Sequence, residues 1–203
     1  MLIRAARQQD APELAQLVYA SGAALFDAVF YPAKDSRDFL HSALQRADGQ
    51  YGFANHWLAL KNKQIVGSVT GWHHALSQPF HQASLSSIVD YFGAEKSLQV
   101  LAQSMLLRQF IPPPLAHEWC IGHLAVSPPF QRQGVATYLL AWMAGQARLH
   151  GKTVLSLDVS QTNHSAISFY QQQGFTLHST SAQTVDMQRA GLSAHLHMCK
   201  SLV

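Results

Sequence analysis

The run Gln131-Arg-Gln-Gly-Val-Ala136 gathers residue types suited to holding an anion. Gly134 and Ala136 carry little or no side chain, so a phosphate could approach the main chain closely. Upstream, the apolar Leu124-Ala125-Val126 ends at Ser127-Pro128-Pro129, where prolines cannot donate to a sheet ladder and a strand must stop. Downstream, Val135, Tyr138, Leu139, Trp142 and Leu149 recur at helical spacing. The pattern predicts a buried strand, a glycine-bearing loop and a helix whose first turn is residues 131–136. N–H groups in such a turn have no intrahelical partner and the helix dipole adds positive charge there, which suits a pyrophosphate. Taken alone, the motif fits equally well a tight turn that lets helix pack on sheet.

The surrounding elements follow from periodicity. Residues 2–8 read as a first strand, and Asp10-Ala-Pro-Glu13 as a capping box opening a helix with Leu14, Leu17, Val18 and Leu25. Gly22 and residues 26–32 interrupt it. Asp35 or Ser36 can cap a second helix carrying Phe39, Leu40, Ala43 and Leu44. Residues 56–60 and 65–72 are β-rich runs joined by Lys61-Asn-Lys-Gln64, which makes a hairpin. Gly67 and Gly71 mark a bulge or a close backbone approach. Residues 84–92 and 97–110 have helical character, stopped by Pro112-Pro-Pro114. A fourth strand spans 118–126, a helix 134–150 and a fifth strand 153–159. A helix capped by Asn163 and closed by Gly174 follows, then strands at 175–180 and 194–199.

At this level the chain resembles the GNAT superfamily of acetyl-CoA-dependent N-acetyltransferases. The motifs are the strand ending Leu124-Ala-Val-Ser-Pro128, the segment 131–136, the strand Val154-Leu-Ser-Leu-Asp-Val159, then Asn163-His-Ser-Ala166, and Phe169-Tyr170 before Gly174-Phe175. Two motifs in the right order and separation are more specific than either one. Close resemblance covers about residues 119–178, with Ala136 where the family often has glycine. It implies an α/β (α+β) fold: a single mixed, mostly antiparallel sheet of about seven strands flanked by helices, with a helical insertion at about 75–117 between strands three and four. It also implies one acetyltransferase domain over 1–203.

The resemblance further implies that strands four and five splay apart and that pantetheine fills the gap, pairing with main-chain groups of Leu124 and Val126, with Ala125 between them. The N–H groups of Arg132, Gln133, Gly134, Val135 and Ala136 would take the pyrophosphate, with the side chains of Gln131, Arg132 and Gln133 around it. Asn163 would hydrogen-bond the pantetheine arm, beside Ala166 and Phe169, or serve as a helix cap alone. Acetyl transfer to an amine needs a neutral amine, a polarised thioester carbonyl and a proton for the departing thiolate. Tyr170 sits where the family often places the tyrosine that supplies that proton. Glu118, heading strand four, can take the amine's proton directly or through water, or be an ordinary strand end. His123 is suited to proton transfer but points opposite to Gly122 and Leu124 if alternation is unbroken; a bulge would reverse that. Phe26, Phe30 and Tyr31 either contact the acceptor or are core aromatics. The insertion either carries acceptor specificity or, through its apolar positions, serves a homodimer.

Composition sets outer bounds. The chain has 203 residues, 48% of them hydrophobic, enough to bury a substantial core. A net charge of +3 with 12% charged residues is too dilute for nucleic-acid binding. No apolar run is long enough to cross a bilayer, and no leader is evident, so a cytoplasmic protein is expected. Two cysteines argue against a disulfide framework. Twelve histidines raise the question of metal, yet none has a carboxylate or a third histidine at ligand spacing, so no metal is expected. The expected reaction is acetyl transfer from acetyl-CoA to a small-molecule or peptide amine in a ternary complex; the alternative is an acyl-CoA-binding module without turnover.

Overall fold

A computed structural model of the chain describes residues 1–30, 33–107 and 111–203. Strand β1 (Leu2–Ala5) leads into helices α1 (Ala11–Ala20), α2 (Ala23–Phe30) and α3 (Ala33–Ala43). The hairpin of β2 (His56–Lys61) and β3 (Gln64–Trp72) turns at Asn62 and Lys63, both at positive φ (52° and 66°). Those angles give the turn a twist that matches the strands. Helix α4 (Gln78–Leu107) breaks at Gly93 (φ 75°, ψ 168°), so the insertion is the expected helical pair. Strand β4 (Glu118–Val126), helix α5 (Val135–Leu149), β5 (Val154–Ser160), α6 (His164–Gln172), β6 (Thr176–Thr180), α7 (Val185–Arg189) and β7 (His195–Ser201) complete the chain.

The seven strands form one sheet in the order β1-β2-β3-β4-β5-β7-β6. Among the described residues only β4 and β5 run parallel; the other neighbours are antiparallel. Alternation divides the core between the two faces. On β2, Ala59 joins Val69, Ile121, Leu157 and Met198 under α5, whereas Leu58 joins Leu14, Phe30, Phe39 and Ile88 among α1 to α4. Helix α5 buries Val135, Leu139, Leu140, Met143 and Ala147, an i, i+4, i+5, i+8, i+12 stripe. Leu139 is fully buried, so Leu139→Ala is expected to cost about 2–5 kcal/mol, read as a lowered denaturation midpoint.

Three sequence expectations are corrected. The sequence places Leu25 on the first helix and an interruption at Gly22 and residues 26–32, but residues 23–30 form α2, because Phe26, Val29 and Phe30 bury one face and Gly22 sits between two helices, its carbonyl accepting from Phe26 N–H. Asp10 makes no side-chain cap to α1; its carboxylate accepts from Arg7 N–H and from both guanidinium nitrogens of Arg4, at 2.6 and 2.8 Å. A charged pair of fixed geometry outcompetes the local cap. Residues 131–134 are a turn outside the helix, with Arg132 (φ 59°) and Gly134 (φ 80°) left-handed, and α5 starts at Val135 with Gly134 as its N-cap.

Candidate active site

Strands β4 and β5 pair from Glu118↔Val154 to Ile121↔Leu157 and no further. Beyond that point β5 continues against β7 while β4 continues against β3, so the two strands part. Among the described residues, the edge of β4 from Gly122 to Val126 has no strand partner on the β5 side. Two contiguous cavities of about 620 and 610 Å3 occupy the parting, sharing Leu124, Ala125, Val126, Gln131, Asn163, Ala166 and Tyr170 as lining. Phe169, Arg132 and residues 134–136 line the first.

At one end of this groove the N–H groups of residues 132–137 have no main-chain or side-chain acceptor among the described residues; the first intrahelical bond is Tyr138 N–H to Gly134 C=O, 3.0 Å. Left-handed residues alternating with others turn successive N–H groups toward one point, which makes an anion nest. Gln131 Nε2 donates to Val126 C=O (3.2 Å) and Gln133 Nε2 to Pro129 C=O (2.9 Å), so these side chains brace the turn. Lys61 Nζ, bonded to Gln133 Oε1 at 3.0 Å, adds positive charge beside it. This donor set fits a diphosphate. A carbon at Gly134 would meet nothing within 4 Å, so glycine is there for its backbone angle rather than for space.

Along the groove, Asn163 Oδ1 accepts from Ala166 N–H (3.1 Å), the N-cap of α6, which leaves its amide NH2 to donate. Tyr170 lines both cavities, held between Phe169 and Phe175 with ring centroids 5.4 and 5.7 Å away. Its hydroxyl has no hydrogen-bond partner among the described residues. Burial raises its pKa to about 12, so the phenol keeps its proton throughout the physiological range.

A third cavity, about 310 Å3, opens where the strands part, sharing Ser21, Gly22, Leu25 and Asp158 with the inner half of the groove. Phe26 and Phe30 line it, with Tyr51, Trp72, Leu107 and His123. Tyr31, the third aromatic expected here, lies outside the described residues. Leu107 brings the insertion to this wall. Opposite Val69 of β3, strand β4 places two residues, His123 and Leu124, because Ser68 pairs with Ala125 and Thr70 with Gly122. This is a β-bulge, with His123 at φ 48°. It turns His123 onto the side Gly122 shares, reversing the unbroken alternation. Trp72 lies over Gly122, where a Cβ would come within 2.2 Å of its ring, so only glycine admits that wall.

Glu118 stands elsewhere. It is 2% exposed, accepts from Leu115 N–H (3.0 Å) and Ser156 Oγ (3.2 Å), and lies 3.7 Å from His197 Nε2. His197 Nδ1 is 3.0 Å from Asp158 Oδ1. The hydrogen bond to Asp158, helped by Cys199, raises the His197 pKa to about 10, so the ring is a cation between two carboxylates. Donor atoms of Glu118, His197 and Cys199 lie within 4.8 Å of one another, a geometry that could also hold a metal ion. Sequence spacing hid this cluster, because Glu118 comes from β4 and His197 and Cys199 from β7, two strands separated in the sheet by β5.

The histidines set the pH dependence of stability. Burial lowers His56 to about 4, and burial then the neighbouring His56 lower His123 to about 3. Below pH 6.5 the unfolded rings take protons that the folded rings refuse, so stability falls as pH drops toward 3, on the order of 1 kcal/mol per pH unit for each ring. His197 works oppositely: the folded ring keeps a proton up to about pH 10 that the unfolded ring gives up near 6.5, so its contribution is lost as pH rises between them. Denaturation midpoints are expected to peak between pH 6 and 7 and fall on both sides; an increase from pH 6.5 to 9 would contradict this account.

The site is thus a mixed sheet with one parted parallel pair, a helix N-terminus at the mouth of the parting and a half-buried tyrosine inside it. The sequence profile of the acetyltransferase (GNAT) family matches residues 23–175, and the chain belongs to that family. Among solved structures it is similar to an acetyltransferase at 21% identity and TM-score 0.71, with 100% of both chains covered. It is similar to an N-acetyltransferase from Staphylococcus aureus Mu50 at 16% identity and TM-score 0.66, covering 98% of this chain and 100% of that one. A third is yncA from Salmonella typhimurium, solved with its cofactor acetyl-CoA, at 14% identity and TM-score 0.57, covering 100% and 94%. At these identities the likeness is one of fold. No curated protein matches the chain.

Proposed function

We propose that the protein is an acetyl-CoA-dependent N-acetyltransferase that moves an acetyl group directly to a primary amine. The observation that carries this is the alignment, along one continuous groove, of an anion nest at residues 132–137, a free β4 edge and the Tyr170 hydroxyl. The nest holds the pyrophosphate. The edge from Leu124 to Val126 and the Asn163 amide hold the pantetheine arm by hydrogen bonds that fix its length along the groove. This length control delivers the thioester carbonyl past Tyr170 toward the second cavity, which adjoins the third through Ser21, Gly22, Leu25 and Asp158. Acetyl-CoA supplies the activated acyl group; the chain supplies position, which can remove several kcal/mol of barrier by ordering the two reactants. Tyr170 protonates the leaving thiolate.

A module that bound acyl-CoA without turnover would have no use for a phenol presented to both halves of the groove. The test is thiol release from acetyl-CoA with a panel of amines, run beside thermal unfolding with coenzyme A. At a hundred times its dissociation constant the cofactor should stabilise the fold by about 2.7 kcal/mol. Stabilisation without thiol release for any amine would favour the binding module. No stabilisation at all would remove the cofactor reading.

A further inference from the structure

His123 of the third cavity's wall meets His56, buried behind it and 67 positions away, and their hydrogen bonds fix both tautomers. His56 Nδ1 lies 3.0 Å from Gly52 C=O, which can only accept, so the proton of neutral His56 is on Nδ1. His56 Nε2 is then an acceptor, and His123 Nδ1, 3.2 Å away, must be the donor. The remaining His123 nitrogen, Nε2, therefore carries a lone pair. The ring is clamped by Phe26, Tyr51, His56 and Trp72, with centroids 5.5–6.0 Å away. The bulge with φ 48°, a conformation rare for a residue other than glycine, is what brings it there.

We infer that His123 Nε2 accepts the N–H proton of the acceptor, and that the acceptor is a primary amine with a flat apolar body fitting the aromatic cavity. This rests on the acetyl-transfer reading above. The walls are mostly apolar, with Phe26, Val29, Tyr51, Trp72, Leu107 and Ile111, and carry Ser21, Gln50 and Ser104 as uncharged polar members. Among the described lining residues the one carboxylate is Asp158, which already accepts from His197. A polycation would lose its hydration here without gaining enough partners, whereas an apolar amine loses little. The titratable groups facing His123 are His56 on β2, Tyr51 before it, Cys120 on β4 and Asp158 on β5 with its His197 partner. Burial keeps His56 neutral, and holds Tyr51 and Cys120 protonated.

As the amine nitrogen bonds the thioester carbonyl carbon, its proton passes to His123 Nε2. The C–S bond then breaks, its electron pair leaves on sulfur, and the Tyr170 hydroxyl supplies the sulfur's proton. Return of the His123 proton through solvent to the Tyr170 phenolate restores both groups. An acceptor arriving as ammonium first releases one proton to solvent.

The test compares wild type, His123→Asn and His123→Gly with 2-phenylethylamine and spermidine as acceptors. Asparagine and glycine both tolerate the left-handed angle, so the bulge survives. Expected are preference for 2-phenylethylamine and a fall in kcat of about 10²-fold in both variants, the low end for a general base because burial makes the ring weakly basic. Coenzyme A affinity should stay within about twofold, and added imidazole should restore activity to the glycine variant. Unchanged kcat in the variants, a loss that imidazole leaves unrestored, or preference for spermidine would overturn the inference while leaving acetyl transfer intact. Thiol release by wild type with neither these nor any other amine would overturn the transfer reading itself.

Discussion

Tyr170→Phe should lower kcat on the order of 10³-fold while leaving coenzyme A binding unchanged. The phenol lines both halves of the groove, its oxygen has no partner among the described residues, and its ring is held by Phe169 and Phe175, which the phenylalanine variant keeps. Only the hydroxyl is removed. Calorimetric titration with coenzyme A should give the wild-type affinity, and single-turnover acetyl transfer should give the loss. Because the folded phenol titrates near 12, wild-type activity should show no downward limb from this group below about pH 11. Full activity in the variant would remove Tyr170 from the reaction and require another proton source for the thiolate.

Gly134→Asp should weaken acetyl-CoA binding about 10²-fold without unfolding the protein, since a new carboxylate would lie within a few ångströms of the diphosphate. The substitution suits a charge test for two reasons. A side chain at Gly134 meets nothing within 4 Å, and aspartate is both tolerant of the left-handed angle (φ 80°) and a favoured N-cap residue. Gly134→Asn has the same shape without the charge and should lose no more than about fivefold. The aspartate penalty should shrink as salt rises from 50 mM to 500 mM. Equal affinity for the aspartate and asparagine variants would mean that no anion sits at the start of α5.

The same distinction between local and distant interactions explains which features were legible beforehand. The parted strands, the turn and helices α5 and α6 lie in one stretch, and their residue types act on near neighbours: prolines end β4, Gly134 turns the chain, Asn163 caps α6. Helix α2 was misread because Gly22 and the crowded aromatics looked like a break, whereas its burial is set by α3 and α4 packing against it. Asp10 looked like a cap until the fold brought Arg4 to its carboxylate. Glu118, open beforehand as either the base or an ordinary strand end, heads β4 as read, but β5 and β7 surround it with Ser156 and His197.

By itself, then, the sequence determined the order of elements, because hydrophobic period, turn chemistry and caps act over a few residues, while the mixed sheet and the groove between strands four and five were what its resemblance to the GNAT family implied. Tertiary structure decided the wall facing the acceptor. His56 and His123 exchange a hydrogen bond only because β2, β3 and β4 are adjacent, and His123 faces the cavity only because β4 sets two residues against one of β3. A bulge depends on the register of two strands, and register is a property of the pair that neither strand's own residues carry.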